Sequence, residues 1–261
     1  MKQTSLLITT AFLAAIATSS VAGTAGAPAP LPTAEPFVTG SLSLAYNTHF
    51  ISYGQDIWNS GNTLSDSTIN PSAELVFDLG SGLKAYLNAW ADVNNEAVSD
   101  IGGDFNEVDL GAGFYYTKDK FKYTLGYGAW MYGKQIEHIV DLKVAYSDGF
   151  WNPFLMLHGR VGDQLVGFDT GLVAQVGISP GTTLGPVSLS FPVAVSFDTD
   201  GFHGGDSGFA YASVGVGASY PLSKKTSLNL GATYYYTSDD VIPSNPDEDF
   251  VTGSAGISFA F

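Results

Sequence analysis

The sequence predicts an all-β protein, a transmembrane antiparallel β-barrel of about twelve strands with short turns at one rim and longer loops at the other. Three observations predict it. The final stretch, Phe250 to Phe261, alternates strictly, with Val251, Gly253, Ala255, Ile257, Phe259 and Phe261 on one face and Thr252, Ser254, Gly256, Ser258 and Ala260 on the other. That period of two marks a strand. Segments of the same kind recur along the chain, and the links joining them sort by parity into short and long. A strand of about 12 residues can cross a tilted bilayer path, but its backbone groups would be unpaired in hydrocarbon at several kcal/mol each. It therefore needs a neighbour on both edges, which means closure into a barrel.

Taken from the start, residues 1–22 carry one positive charge at Lys2, an apolar run from Leu6 to Ala17, and Ser20, Val21 and Ala22 as a small-residue cleavage site. This reads as a secretory signal peptide; the apolar run is shorter than the roughly 20 residues a spanning helix needs. Residues 23–36 hold Pro28, Pro30, Pro32 and Pro36 among mostly small residues, a short periplasmic tether. Residues 37–261 form one barrel domain, because the turn signals recur without a break.

Composition narrows the function. There is no cysteine, so neither a disulfide framework nor a thiolate metal site is available. The net charge is −15, and Arg160 is the sole arginine. Such a chain is a poor partner for nucleic acid or anionic phosphate. Yet 13% aromatic residues and 31 glycines set it apart from a disordered acidic tail.

Strands are expected near 38–51, 71–79, 83–92, 107–117, 121–132, 137–146, 151–160, 167–178, 187–197, 209–220, 226–236 and 250–261. The links after the second, fourth, sixth, eighth and tenth are short, the longest of them running from Ser179 to Pro186. Those after the first, third, ninth and eleventh are long, and those after the fifth and seventh are of middling length. Tight periplasmic turns and long external loops give this parity, and an even strand number puts both termini on the side of the short turns. Tyr116, Phe121, Tyr146, Trp151, Tyr220 and Phe259 fall near one rim and Phe168, Phe197, Tyr234 and Tyr236 near the other, as two interfacial girdles would.

If the apolar positions face lipid, the intervening ones face the lumen. This places Glu74, Asp78, Lys84, Glu107, Asp109, Lys122, Asp141, Lys143, His158, Arg160 and Asp169 inside, with Asp78 and Lys84 as cross-strand partners and Asp141 and Lys143 as same-face neighbours. The last four strands instead contribute a wall of Ser188, Ser190, Ser196, Ser213, Gly215, Gly217, Ser219, Gly231, Ser254 and Gly256. A narrow aqueous passage between the two walls is the expected arrangement. The alternative is a plugged barrel in which Tyr86, Trp90, Tyr115, Trp130 and Tyr235 fill the space over the glycines.

Catalytic and metal chemistry have little support. His49, His138, His158 and His203 are scattered, and no Gly-x-Ser-x-Gly elbow occurs. The loop bearing Asp198, Asp200 and Asp206 has oxygen ligands around a glycine turn but lacks the distal bidentate Glu of an EF-hand, so it reads as a solvated acidic loop. No cofactor is expected, and no catalytic residue.

Two resemblances sharpen the expectation. A last strand ending Ile257, Phe259, Phe261 resembles the end of bacterial outer-membrane barrels, which implies that the barrel assembly machinery reads it. The run Leu44-Ala45-Tyr46-Asn47-Thr48-His49-Phe50-Ile51-Ser52-Tyr53-Gly54-Gln55, with Pro71-Ser72-Ala73-Glu74-Leu75 and Leu87-Asn88-Ala89-Trp90-Ala91-Asp92-Val93-Asn94-Asn95, resembles the opening of the TorF family of small porins. Ile51 and Ser52 stand where that pattern has Arg and Gly. The resemblance implies a small barrel in the outer membrane, in contact with its lipid and lipopolysaccharide, with no established substrate. The expected function is a porin-like channel with modest cation preference. A structural or adhesive barrel with a filled lumen and a soluble exported β-sandwich binding protein are the alternatives, and the oligomeric state is left open.

Overall fold

The computed structural model describes residues 37–64, 66–147, 149–162 and 170–261. The expected signal peptide and tether, and Phe168 and Asp169, lie outside them. Twelve strands follow in order: β1 (Val38–Asn47), β2 (Thr68–Gly80), β3 (Leu83–Val93), β4 (Phe105–Lys118), β5 (Phe121–Tyr132), β6 (Gln135–Tyr146), β7 (Phe154–Arg160), β8 (Gly171–Ile178, resuming at Gly181–Leu184), β9 (Val187–Ser190, resuming at Val193–Asp198), β10 (Gly208–Pro221), β11 (Thr226–Thr237) and β12 (Asp249–Ala260). Each pairs antiparallel with the next. β1 pairs with β2 on one edge and with β12 on the other, from Ser41 opposite Ala260 to Asn47 opposite Ser254, so the sheet closes. A two-layer sandwich would leave edges and bury its apolar faces between sheets; this single closed sheet does the reverse.

Its outer surface is apolar. On β5, Phe121, Tyr123, Leu125 and Tyr127 are all exposed, and so are Leu42, Leu44 and Tyr46 on β1 and Leu228, Leu230, Tyr234 and Tyr236 on β11. Between them lie Lys122 and Thr124, or Ser43 and Ala45, turned the other way. Alternation thus puts lipid-compatible side chains on the convex face, and the closed ladder pairs the backbone of each strand with a neighbour on both sides. Leu125 stands midway along β5 and is 52% exposed. Leu125→Arg is expected to destabilise the barrel by about 2–4 kcal/mol, the cost of a cation at the bilayer midplane. Urea unfolding in lipid vesicles measures it, and Leu125→Ala serves as the control for lost volume.

Three local features depart from simple alternation. β8 and β9 are each interrupted, at Ser179-Pro180 and at Phe191-Pro192, since proline brings no ladder donor. The freed groups are taken up: Phe191 N donates to the Pro180 carbonyl and Gly215 N to that of Pro192, both at 2.8 Å. Beyond the first break the chain runs on as strand, so the connection expected over Ser179 to Pro186 shrinks to a tight turn at Gly185-Pro186. A bulge at Ala210 shifts the register, so that Ser196 faces Tyr211 while Phe197 faces Phe209. It turns Phe209 outward, its ring 6.2 Å from that of Phe197, while Tyr211 keeps the inward parity of Ser213 and is 3% exposed.

Loop parity holds with two exceptions. The link after β5 is the two-residue turn Gly133-Lys134, and that after β6 spans 147–153. β1 is also shorter than expected, stopping at Asn47, because the chain beyond it turns into the barrel.

Candidate functional site

The inner face carries the polar chemistry. Glu74, Glu107, His158 and Arg160 are buried, while Asp78, Lys84, Asp109, Lys122, Asp141 and Lys143 are partly so. Asp78 and Lys84 pair across the β2–β3 turn at 3.8 Å, and both remain solvated enough for the pair to be weak. Tyr115 Oη donates to Glu74 Oε2 at 2.8 Å, and Lys122 lies 4.0 Å from the centre of the Tyr115 ring. Asp141 and Lys143 are each held by a group on β7. Asp141 Oδ1 meets His158 Nδ1 at 2.6 Å, and Lys143 sits 4.5 Å over Phe154. Arg160 pairs with Glu137 at 3.2 Å, donates to the Phe202 carbonyl at 2.7 Å, and lies 4.3 Å from the Phe202 ring centre.

Facing this wall, β9 to β12 and β1 present small residues in register. Ser190 stands opposite Gly217, Ser188 opposite Ser219, Gly231 opposite both Gly217 and Ser254, and Ser43 opposite Ser258. This is the half of the interior nearer the short turns, and Ser43, Ser213, Ser219, Ser254, Gly256 and Ser258 keep part of their surface accessible.

The other half is occupied by loops. Residues 48–67 leave β1 and form a small hairpin, Ile51–Ser52 against Gln55–Asp56, with Tyr53 and Gly54 at its tip. The Tyr53 ring centre is 3.8 Å from that of His158 on β7 and 6.3 Å from that of Trp130 on β5. β1 and β7 lie on opposite sides of a twelve-strand barrel, so the hairpin spans the lumen. The loops 199–207 and 238–248 join it: Tyr53, Val173, Phe202, Ala210, Tyr211, Val241 and Ile242 make one buried cluster, with Trp130, Met156 and Tyr235 packed against it. At this level the interior is filled by loop residues and not by the strand aromatics expected to fill it, of which Trp130 and Tyr235 pack against the cluster while Tyr86 and Tyr115 stack on each other nearer the short turns; there the small-residue wall keeps part of its surface accessible.

Each loop is fastened by polar side chains. The Asp92 carboxylate, fully buried on β3, accepts from Trp58 Nε1 at 3.0 Å, from Asn94 Nδ2 at 2.7 Å and from Thr68 Oγ1. Asn245 Oδ1 accepts from Asp56 N at 2.8 Å, and its Nδ2 donates to the Gly54 carbonyl at 2.9 Å. His203 Nδ1 meets Asp198 Oδ2 at 2.6 Å, and Ser196 Oγ donates to Asp198 Oδ1 at 3.1 Å. Asp198 is thus turned inward while Asp200 and Asp206 are exposed, and among the described residues no group of three or more His, Cys, Asp or Glu side chains could hold a metal ion. Burial holds the Asp56 carboxyl above its usual range, against the Gly61 N–H that stabilises its ionised form. It pushes the Tyr53 phenol well up too, with the charge of Asp141 adding to it. Both groups are therefore neutral more readily than in water. For Asp92→Ala we expect residues 48–67 to loosen, because several buried donors lose their acceptor at about 1–3 kcal/mol each. Faster proteolysis within that loop, with the barrel itself still resistant, is the readout.

Tyr53 pays for its position in the backbone. Its φ is 49° and that of Gly54 is 91°, the left-handed pair of a tight hairpin turn that ordinarily takes Asn-Gly. A bulky residue held there costs about 1–3 kcal/mol unless its surroundings hold it. Alternation could not have found Tyr53, Phe202, Asn245 or Ile242, because they are not on strands. The available signal was compositional: Phe50, Ile51, Tyr53, Ile57 and Trp58 crowd one loop, and Val241-Ile242 interrupts a polar one. Asp92 and Glu137, by contrast, share the parity of Lys84 and of Asp141 and Lys143.

No protein-family model matches the chain, and no curated protein matches it. Solved structures do. The COG4313 outer membrane channel from Pseudomonas putida F1 superposes with a TM-score of 0.52 at 13% identity, over 90% of this chain and 100% of that one. The KdgM porin gives 0.51 at 11% identity, over 85% and 99%. The NanC porin gives 0.51 at 7% identity, over 84% and 98%. At these identities the likeness is one of architecture: the chain has the closed antiparallel twelve-strand fold of outer-membrane barrels.

Proposed function

We propose that the protein is a porin-like channel of the bacterial outer membrane, passing small polar solutes passively with a modest preference for cations. The observation that carries this reading is the inverted barrel, apolar outside and charged within, whose architecture is shared with the KdgM and NanC porins and the COG4313 channel. The reading includes export by the segment 1–22, insertion through the C-terminal strand, contact with lipid and lipopolysaccharide, and membership of the TorF-like porins. It includes no enzymatic step: His49, His158 and His203 are buried and fasten loops, and His138 is bonded to Tyr127 Oη. Fractionation with the outer membrane and heat-modifiable migration on gels are the expected placement results. Recovery of folded protein without detergent would refute it.

Cation preference follows from fixed charge. The inner face bears Glu74, Asp78, Asp92, Glu107, Asp109, Glu137, Asp141 and Asp198 against Lys84, Lys122, Lys143 and Arg160. The outer loops and the first residue of β12 add Asp200, Asp206, Asp239, Asp240, Asp247, Glu248 and Asp249. A mouth lined with one sign concentrates the opposite ion. Reversal potentials across planar bilayers in a KCl gradient are expected to show it. Neutralising Glu107 with Asp109 is expected to weaken the preference more than neutralising Asp247 with Glu248, because exposed charges are screened beyond about 10 Å at 0.1 M salt. Anion preference would overturn the charge assignment. The second reading, a structural or adhesive barrel, is favoured by the loop cluster at the outer half, and folded protein that passes no ions would select it.

A further inference from the structure

Resting on the channel reading, we propose that the hairpin Ile51–Asp56 is the barrier that limits passage, with Tyr53 the side chain that blocks the lumen and Asn245 the latch that keeps it in place.

The placement of Tyr53 argues for this. It sits at the tip of a hairpin hung from β1, yet its ring packs on His158 and Trp130 of the far wall. No segment of barrel wall needs it there: every strand ladder closes without it. The residue holds a left-handed backbone conformation that Asn or Gly would adopt at lower cost, so what this turn gains from Tyr is the ring. In the half of the interior toward the short turns, β9 to β12 present Ser and Gly, and the facing wall carries Tyr86 and Tyr115, which stack on each other at 4.5 Å along that wall, whereas Tyr53 reaches across from the opposite side.

The latch is a different kind of contact. Asn245 bonds the hairpin backbone at its tip, Gly54, and on its second arm, Asp56, as a neighbouring strand would, and also donates to Thr237 Oγ1 at 3.2 Å where β11 ends. Gln55 Nε2 adds a bond to Ser244 Oγ at 2.9 Å, and Asn62 N one to Asp247 Oδ2 at 3.0 Å. Apart from the bond to Thr237, these contacts lie between two loops. Releasing them would free the hairpin without breaking a barrel ladder, and a two-position element of this kind is what gating requires.

Single-channel recording of the mature, full-length protein tests both roles. Tyr53→Gly suits the left-handed turn and removes only the ring; Tyr53→Phe keeps the ring without its hydroxyl. Heat-modifiable migration establishes that each variant is folded. The expected result is a several-fold rise in unitary conductance for Tyr53→Gly, wild-type conductance for Tyr53→Phe, and longer or more frequent openings for Asn245→Ala at unchanged unitary conductance. Equal, nonzero conductance in wild type and Tyr53→Gly overturns the barrier while leaving the channel standing. Unaltered gating in Asn245→Ala overturns the latch. Silence of wild type and every folded variant overturns both the barrier and the channel reading.

Discussion

Replacing Phe261 with Asp, or Gly40 with Leu, is expected to cut the amount of folded barrel in cells severely while export continues. The two substitutions act on one seam. Gly40 N donates to the Phe261 carbonyl at 3.0 Å and Phe261 N to that of Gly40 at 2.9 Å, so the terminal residue extends the ladder that closes β12 onto β1. The Phe261 ring lies across Gly40 on the lipid-facing side, where any Cβ at position 40 would overlap it. It also stacks beside Phe259 at 6.1 Å. Gly40→Leu must therefore displace the ring, and Phe261→Asp replaces it with a charge facing hydrocarbon, where isolated charges are costly. Closure joins the first and last strands, the longest-range pairing in the chain, so a weakened seam leaves two unpaired edges in lipid. The heat-modifiable fraction on gels, compared with total exported protein, reads the effect. If Phe261→Asp fails and Gly40→Leu does not, the aromatic is being recognised during insertion and its seat matters little. If both give wild-type amounts of folded protein, neither is needed.

The barrel was legible because strand alternation and lipid exposure are the same constraint. A residue such as Leu125 or Leu230 faces hydrocarbon whatever its neighbours do, so its parity can be read without knowing the register. The exceptions occur where parity itself breaks. The bulge at Ala210 puts Phe209 on the opposite face from Tyr211, whose parity it shares, and nothing in Phe209-Ala210-Tyr211 announces an extra residue. The breaks at Pro180 and Pro192 were visible as prolines, but whether strand resumes beyond them depends on partners supplied from elsewhere in the sheet.

The interior was only half legible. Parity placed Glu74, Glu107, His158 and Arg160 on the inner face, yet it is silent on which of them meet, because pairing there depends on the closure geometry and on the loops. Asp141 and Lys143 illustrate this. They are neighbours on one strand, but Asp141 bonds His158 and Lys143 lies over the Phe154 ring, both on β7. The inward fold of the loops has a physical cause that composition hinted at. Apolar residues such as Tyr53, Phe202 and Ile242 gain about 1.5–3 kcal/mol each on leaving water, and the space above the small-residue strands is where they can go.

The buried pair of Arg160 and Glu137 gives the largest expected loss of stability from one side chain. Arg160 is 7% exposed and Glu137 2%, and their nitrogen and oxygen are 3.2 Å apart. Such a pair contributes little net stability when intact, since the cost of drying both charges offsets their attraction; removing one partner leaves the other buried and uncompensated. Arg160→Met is therefore expected to destabilise the barrel by about 3–5 kcal/mol. It also removes the donor to the Phe202 carbonyl and the cation over that ring, so the loop 199–207 should lose its hold on β7. Glu137→Gln added to Arg160→Met removes the stranded charge and should recover much of the loss. Urea unfolding in vesicles over the four members of this cycle gives the coupling directly. Non-additivity of the two substitutions is the expected outcome. Simple additivity would mean that Glu137 finds water or another donor when Arg160 is gone, and that the inner half-barrel is wetter than its packing indicates. The same variants carry a second readout. Arg160→Met deletes one of the four cations of the inner face, so any conductance that survives should shift toward stronger cation preference, and the double variant should shift back.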